Sequence, residues 1–113
     1  MHELSVALGI VKIAKNEITK AKANNVEMIE LEIGTLAGIE LDSLDFVWPA
    51  AVKDTVLENA VKKINIIAAK AKCIDCDTVF DIKNIYDACP NCGSFLKGIL
   101  QGKELRVKAL EVS

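Results

Sequence analysis

The chain has 113 residues, 51% of them apolar and 27% charged, with a formal net charge of −2. That is the size and composition of one small globular protein, too rich in Leu, Ile and Val to stay disordered. No stretch free of Asp, Glu, Lys and Arg exceeds residues 88–96, so a bilayer span of roughly 20 apolar residues does not fit. The near-neutral charge gives no electrostatic reason to expect nucleic acid as a partner. Glu3 and Lys12 interrupt any secretory signal pattern at the start. We therefore expect a cytoplasmic protein with no membrane partner, whose cysteines are thiols or metal ligands before they are disulfides.

Residues 3–23 carry the first periodicity. Leu4, Leu8, Val11, Ala14, Ile18 and Ala21 recur at steps of three or four and predict one helical stripe, with Asn24-Asn25 ending the helix. The period then changes to two. Ile29, Leu31 and Ile33 alternate with Met28, Glu30 and Glu32, which predicts a strand with one buried and one wet face, closed by Gly34. A second helix starts at a cap on Asp42 or Ser43, with Leu44, Val47, Trp48, Ala51 and Val56 as its core face; a cap at Asp42 puts Pro49 where it should kink the helix. Residues 62–72 read as a second strand, with Ile64, Ile66 and Ala68 on one face. Residues 104–112 read as a third, with a slip in phase that predicts a bulge near Ala109.

All four cysteines fall between the last two strands. Cys73-Ile-Asp-Cys76 and Cys89-Pro-Asn-Cys92 are two C-x-x-C hooks, each able to aim two thiolates at one ion, with a segment between them long enough to return as a hairpin. Four thiolates at about 2.3 Å suit a closed tetrahedral Zn²⁺ site. Without the metal, Val79, Phe80, Ile82, Ile85, Tyr86 and Phe95 are too few for an independent core. Two disulfides, or free thiols, are the other readings of the same spacing. The second hook also resembles that of a rubredoxin, which leaves iron open. The expected architecture is α+β: two helices on a small three-stranded antiparallel sheet, with an inserted four-cysteine zinc-ribbon (rubredoxin-like) module. The body is residues 1–70, completed by the strand in 97–113, and the module is 71–96.

The only histidine is His2. Alone, it reads first as an exposed terminal residue. Its chemistry offers a second use, because the Met1 amine, a deprotonated backbone amide and the imidazole can chelate one ion in a plane, a donor set that favours Ni²⁺ or Cu²⁺.

With these residues the chain resembles the HypA/HybF hydrogenase-maturation proteins. The resemblance runs from Met1-His2-Glu3-Leu4-Ser5 through Glu32-Ile33-Gly34-Thr35-Leu36-Ala37-Gly38-Ile39-Glu40 and Ser43-Leu44-Asp45-Phe46. It takes in both cysteine hooks and ends on Gly102-Lys103-Glu104-Leu105-Arg106-Val107 and Leu110-Glu111-Val112. It implies a nickel metallochaperone that is not an enzyme. Nickel would be held by His2 and the Met1 backbone, with Glu3 beside them and Glu40 as a further carboxylate, and structural zinc by Cys73, Cys76, Cys89 and Cys92. The implied partners are a maturation GTPase of the HypB type and the large subunit of [NiFe]-hydrogenase, or in some members urease maturation. Pro49 and Asn59 depart from the family pattern. The residues themselves agree with the absence of catalysis: there is no phosphate loop, and no Ser or Cys has a histidine available as its base. The alternative functions are a zinc-ribbon adaptor for nucleic acid or protein, and a rubredoxin-like iron electron carrier.

Overall fold

A computed structural model describes residues 2–113. Its elements in chain order are α1 (Glu3–Ala21), β1 (Val26–Gly34), α2 (Leu41–Val52), β2 (Val61–Ile67), β3 (Lys70–Cys73), β4 (Val79–Asp81), β5 (Lys97–Gln101) and β6 (Leu105–Val112). They form two three-stranded sheets, in the orders β2-β1-β6 and β4-β3-β5. The chain divides into two compact units. One is the chain up to Leu31 with Ile39–Asn65 and Arg106–Ser113; the other is Glu32–Gly38 with Ile66–Leu105.

The α+β class expected from the sequence stands, with one detail changed in the first sheet. Thr35 N donates to Ile67 O at 3.0 Å, so the ends of β1 and β2 meet and these strands run the same way. Gly34 N donates to Glu104 O at 2.7 Å, and Ser113 N to Asn25 O at 3.0 Å, so β6 runs against β1. The sheet is mixed because the connection through α2 is long enough to return the chain to the end from which it left.

In the first unit α1 packs on α2. The buried stripe of α1 is Ala7, Ile10, Ala14 and Ile18. Leu4 and Leu8, expected inside, are 46% and 50% exposed. Ala14 and Ile18 are buried as expected; in the first turns Ala7, 0% exposed, is small enough to let the other helix approach. Asn24 and Asn25 are not the cap. Lys22 takes the left-handed conformation (φ 55°) that ends α1, while both asparagine N–H groups donate to Ser113 O.

The alternation of β1 is as expected, with Ile29, Leu31 and Ile33 buried. On its other face Glu30 accepts a hydrogen bond from Asn65 Nδ2 at 2.7 Å and faces Lys108 at 3.9 Å. The Asn65 bond first, then Lys108 and Lys63, hold the Glu30 carboxyl below the usual carboxylate range.

Helix α2 is capped by Glu40, two residues before the first cap expected, and runs through Pro49 to Val52. It buries Leu44, Trp48, Ala51 and Val52; Val56 lies beyond it. Lys62 Nζ sits 4.8 Å over the Trp48 ring and pairs with Asp45.

The long second strand expected over 62–72 is two strands, broken at Ala68-Ala69. The backbone there finds other partners: Ala69 N donates to Thr35 Oγ1 at 3.1 Å, and Gln101 Nε2 donates to Ala68 O at 2.7 Å. The buried residues after the break are Ala69, Ala71 and Cys73, whereas Ile66 and Ala68 are exposed. Strand β6 carries the expected change of phase as two adjacent half-buried residues, Ala109 and Leu110.

Candidate metal centre and N-terminal site

The four cysteines converge. β3 delivers Cys73 and the turn after it Cys76, and a second turn before β5 supplies Cys89 and Cys92. The two turns repeat one geometry. Cys73 N donates to Thr78 O and Asp77 N to Cys73 O; Cys89 N donates to Ser94 O and Gly93 N to Cys89 O, all between 2.8 and 3.0 Å. Each turn needs a left-handed residue just after its second cysteine, Asp77 at φ 61° and Gly93 at φ 75°. Gly93 adopts this freely, and Asp is among the few other residues that tolerate it. Asp77→Gly should therefore stabilise the first turn, by about 0.5 kcal/mol, and slow loss of metal to a chelator in a competition assay.

The four sulfur atoms lie within 4.8 Å of one another. Cys73 and Cys92 are 3.5 Å apart, Cys76 and Cys89 3.6 Å. A tetrahedral ion with bonds of about 2.3 Å needs sulfur–sulfur edges of about 3.8 Å, so the cluster fits one such ion with little adjustment. Cys73 and Cys89 are buried, which closes the centre on one side.

The surroundings differentiate the sulfurs. The Thr78 hydroxyl, 3.2 Å from Cys76 Sγ, and then Asn91 Nδ2 at 3.6 Å hold the Cys76 thiol down at about 6. Cys76 is thus already a thiolate at neutral pH, ready to take the first bond to an ion. The Ser94 N–H pulls Cys92 down, but Cys73, lost solvation and the other two sulfurs together push it up to about 12. Cys92 would give up its proton to a bound metal rather than to water. Sequence reasoning did not find Thr78, Asn91 or the Ser94 hydroxyl, which donates to Asp75. The matching Thr and Ser two residues after each hook were the available signal.

The core beneath the centre is small. Ala69, Ala71, Cys73, Phe80, Ile82 and Cys89 form it, with Leu36, Cys76 and Ile99 against it. Val79, Ile85, Tyr86 and Phe95, expected to contribute, are between 50% and 78% exposed. Between β4 and the second hook, Asp87 accepts from Lys83 N at 2.7 Å and Asn84 N at 3.3 Å. These bonds fix the turn and hold the Asp87 carboxyl below its ordinary value.

The N-terminal candidates are brought only partly together. Met1 lies outside the described residues. His2 is exposed and caps α1: its carbonyl takes the first helical bond, from Val6 N at 3.0 Å, and its side chain makes no cap bond. Glu40 holds the same position at the start of α2. Glu3 joins the two helix starts, its Oε2 accepting from Glu40 N at 3.4 Å. Among the described residues the four cysteines are the one group of three or more metal-ligating side chains whose donor atoms converge. His2, Glu3 and Glu40 do not form such a group.

Fold and centre together define a small α+β protein with a four-cysteine metal site set between strands of its second sheet. A family model described as hydrogenase/urease nickel incorporation, metallochaperone, hypA matches residues 1–112. The chain is 42% identical over 112 residues to the hydrogenase maturation factor HypA of Parabacteroides distasonis, covering 99% of this chain and 97% of that protein. It is 43% identical to its counterpart from Francisella philomiragia, with 97% of each covered. The solution structure of the Ni metallochaperone HypA from Helicobacter pylori superposes with a TM-score of 0.72 at 25% identity, covering 99% of this chain and 97% of that one. The chain belongs to the HypA family of nickel-incorporation metallochaperones.

Proposed function

We propose that the protein binds Ni²⁺ at its N-terminus and passes it to [NiFe]-hydrogenase during maturation, while structural Zn²⁺ sits on Cys73, Cys76, Cys89 and Cys92. The observation that carries this reading is the contact of Glu3 with the Glu40 backbone. It ties the residue after His2 to the residue that starts the second helix, so a terminal chelate would form beside two carboxylates. Nickel would be held by the Met1 amine, the backbone amide and imidazole of His2, with Glu3 close by and Glu40 as a supplementary ligand. As the cap of α1, His2 has a backbone N–H that no intrahelical bond uses, which leaves that nitrogen free to lose its proton to a metal. The flanking carboxylates offset the partial positive charge of the two helix N-termini, which otherwise disfavours a cation. Ligands that leave one at a time suit a carrier. The protein acts without catalysis of its own, in the cytoplasm, with a GTPase of the HypB type and the hydrogenase large subunit as partners. In this division of labour residues 1–70 with 97–113 hold nickel, and 71–96 hold zinc.

The test is nickel titration of untagged protein by calorimetry. His2→Ala should abolish tight 1:1 binding, and so should an N-terminal tag that removes the free amine but keeps His2. Both proteins should keep their zinc and their fold. Glu40→Ala should weaken binding less. Full nickel affinity in both the tagged protein and His2→Ala would sink the proposal.

A further inference from the structure

On one ion all four cysteines are thiolates, so charge no longer distinguishes them; exposure and hydrogen bonding do. Cys73 and Cys89 are buried, Cys76 is half-buried and Cys92 is exposed. The two outer sulfurs also differ in their donors. As a thiolate, Cys76 Sγ takes hydrogen bonds from the Thr78 hydroxyl at 3.2 Å and from Asn91 Nδ2 at 3.6 Å, which draw charge off the sulfur and make it a poorer nucleophile. Among the described residues Cys92 Sγ meets no such side-chain donor, only the Ser94 N–H and the other sulfurs. Cys92 is therefore the least covered sulfur and the one whose charge is least drawn off. Beside it, at 3.5 Å, stands Cys73 Sγ at the end of β3; Cys76 and Cys89 lie 3.6 Å apart. Both close pairs join one hook to the other. A bond within a hook has to work against the backbone bonds that shape its turn, Asp77 N to Cys73 O and Gly93 N to Cys89 O.

We propose that Cys92 is an oxidation site, where hydrogen peroxide enters the metal centre and Cys73 completes the reaction, so that the centre opens and releases its ion. This rests on the reading that the four sulfurs hold zinc. Peroxide is small and uncharged, so Asp75 and Asp77 in the first turn do not repel it as they would an anionic oxidant. The Cys92 thiolate attacks one peroxide oxygen; the O–O bond breaks, the sulfur gives up an electron pair and hydroxide departs, leaving a sulfenic acid. The Cys73 thiolate then attacks the Cys92 sulfur, forms the S–S bond and expels a second hydroxide. The sulfurs have to close from 3.5 Å to about 2.05 Å, a swing that the exposed Cys92 side chain supplies while Cys73 stays on β3. Two sulfurs bound to each other no longer serve as ligands, and Cys76 and Cys89 alone do not make a closed tetrahedral site. A second peroxide takes the same course at that pair. The chain is left with two bonds across the hooks, which thiol reductants reverse.

The experiment uses full-length protein whose zinc content is first fixed by elemental analysis. With hydrogen peroxide below one equivalent and dimedone present to trap sulfenic acid, peptide mass spectrometry should find the adduct on Cys92 about tenfold more often than on Cys76. Thr78→Val removes one donor from Cys76 and should raise its share of the label, while the zinc content stays the same. Without dimedone, two equivalents of peroxide should release the zinc to a chromophoric chelator. The disulfides then mapped should be Cys73–Cys92 and Cys76–Cys89, and dithiothreitol with fresh zinc should restore the site. First adducts on Cys76, disulfides within a hook, or zinc retained after the disulfides form would each overturn the proposal and leave the zinc assignment standing. Protein that carries no zinc at the outset would overturn that assignment, and the proposal with it.

Discussion

Cys89→Ala should empty the four-sulfur site and unravel the segment around it. Two magnitudes decide this. Shortening a buried Cys to Ala removes one sulfur from a core of six side chains, which by packing alone costs on the order of 1 kcal/mol. Losing a structural zinc forfeits roughly 10–16 kcal/mol of binding free energy that doubles as folding free energy. Phe80 and Ile82 are the only large side chains in that core, too little to hold 71–96 alone. Elemental analysis should show zinc falling from one per chain to none, with amide protection lost across the module. The helices should survive, because α1 packs on α2 and Ile10, Ile18, Leu44 and Trp48 are buried on elements that hold none of the four cysteines. A Cys89→Ala protein that kept one zinc and a protected module would refute the four-thiolate assignment.

Gly34→Ala should be nearly as damaging, for a steric reason. A Cβ on Gly34 would stand 2.0 Å from Gly102 O, and one on Gly102 would stand 2.5 Å from Ala69 Cβ. These obstacles are backbone and short side chain, and they cannot swing aside. Two short bonds hold the contact, Gly34 N to Glu104 O and Leu36 N to Gly102 O, both 2.7 Å. Parting these segments should cost more than about 3 kcal/mol, or roughly 10–20 °C in Tm. Gly102→Ala adds backbone strain at φ 118°. Gly38→Ala, with φ 75° but open space around it, should cost only about 1 kcal/mol, and Gly98→Ala almost nothing. Urea denaturation of the four variants tests the ranking. Equal losses at all four positions would mean that the contact between Gly34 and Gly102 carries no special strain.

The sequence made some features plain and left others out of reach for identifiable reasons. Both cysteine hooks were legible because four ligands to one ion require that spacing, and the folded chain does bring the sulfurs together. The alternation in β1 was legible because a half-buried strand leaves a pattern of period two. The register of α1 was legible only in its second half: Ala14 and Ile18 are buried as expected, but in the first turns the buried residues are Ala7 and Ile10, not the more apolar Leu4 and Leu8. The break at Ala68-Ala69 leaves no pattern either, since the Thr35 and Gln101 side chains that satisfy its backbone lie more than thirty residues away. The Glu3–Glu40 contact spans 37 residues, and only the resemblance to a family had put those two residues in one site. Gly34 stood out in the sequence only as the close of β1; that a Cβ there would meet Gly102, and one on Gly102 would meet Ala69, is a property of the folded chain.

The position of β1 between β2 and β6 imposes an order on synthesis. A ribosome makes β1 early and β6 after all the other strands, so the first sheet stays without one of its edges until translation has passed β5. Strands β3 to β5 and all four cysteines have by then been made, so the second sheet has all its strands before the first has its last. The sheet begun first is the one finished last.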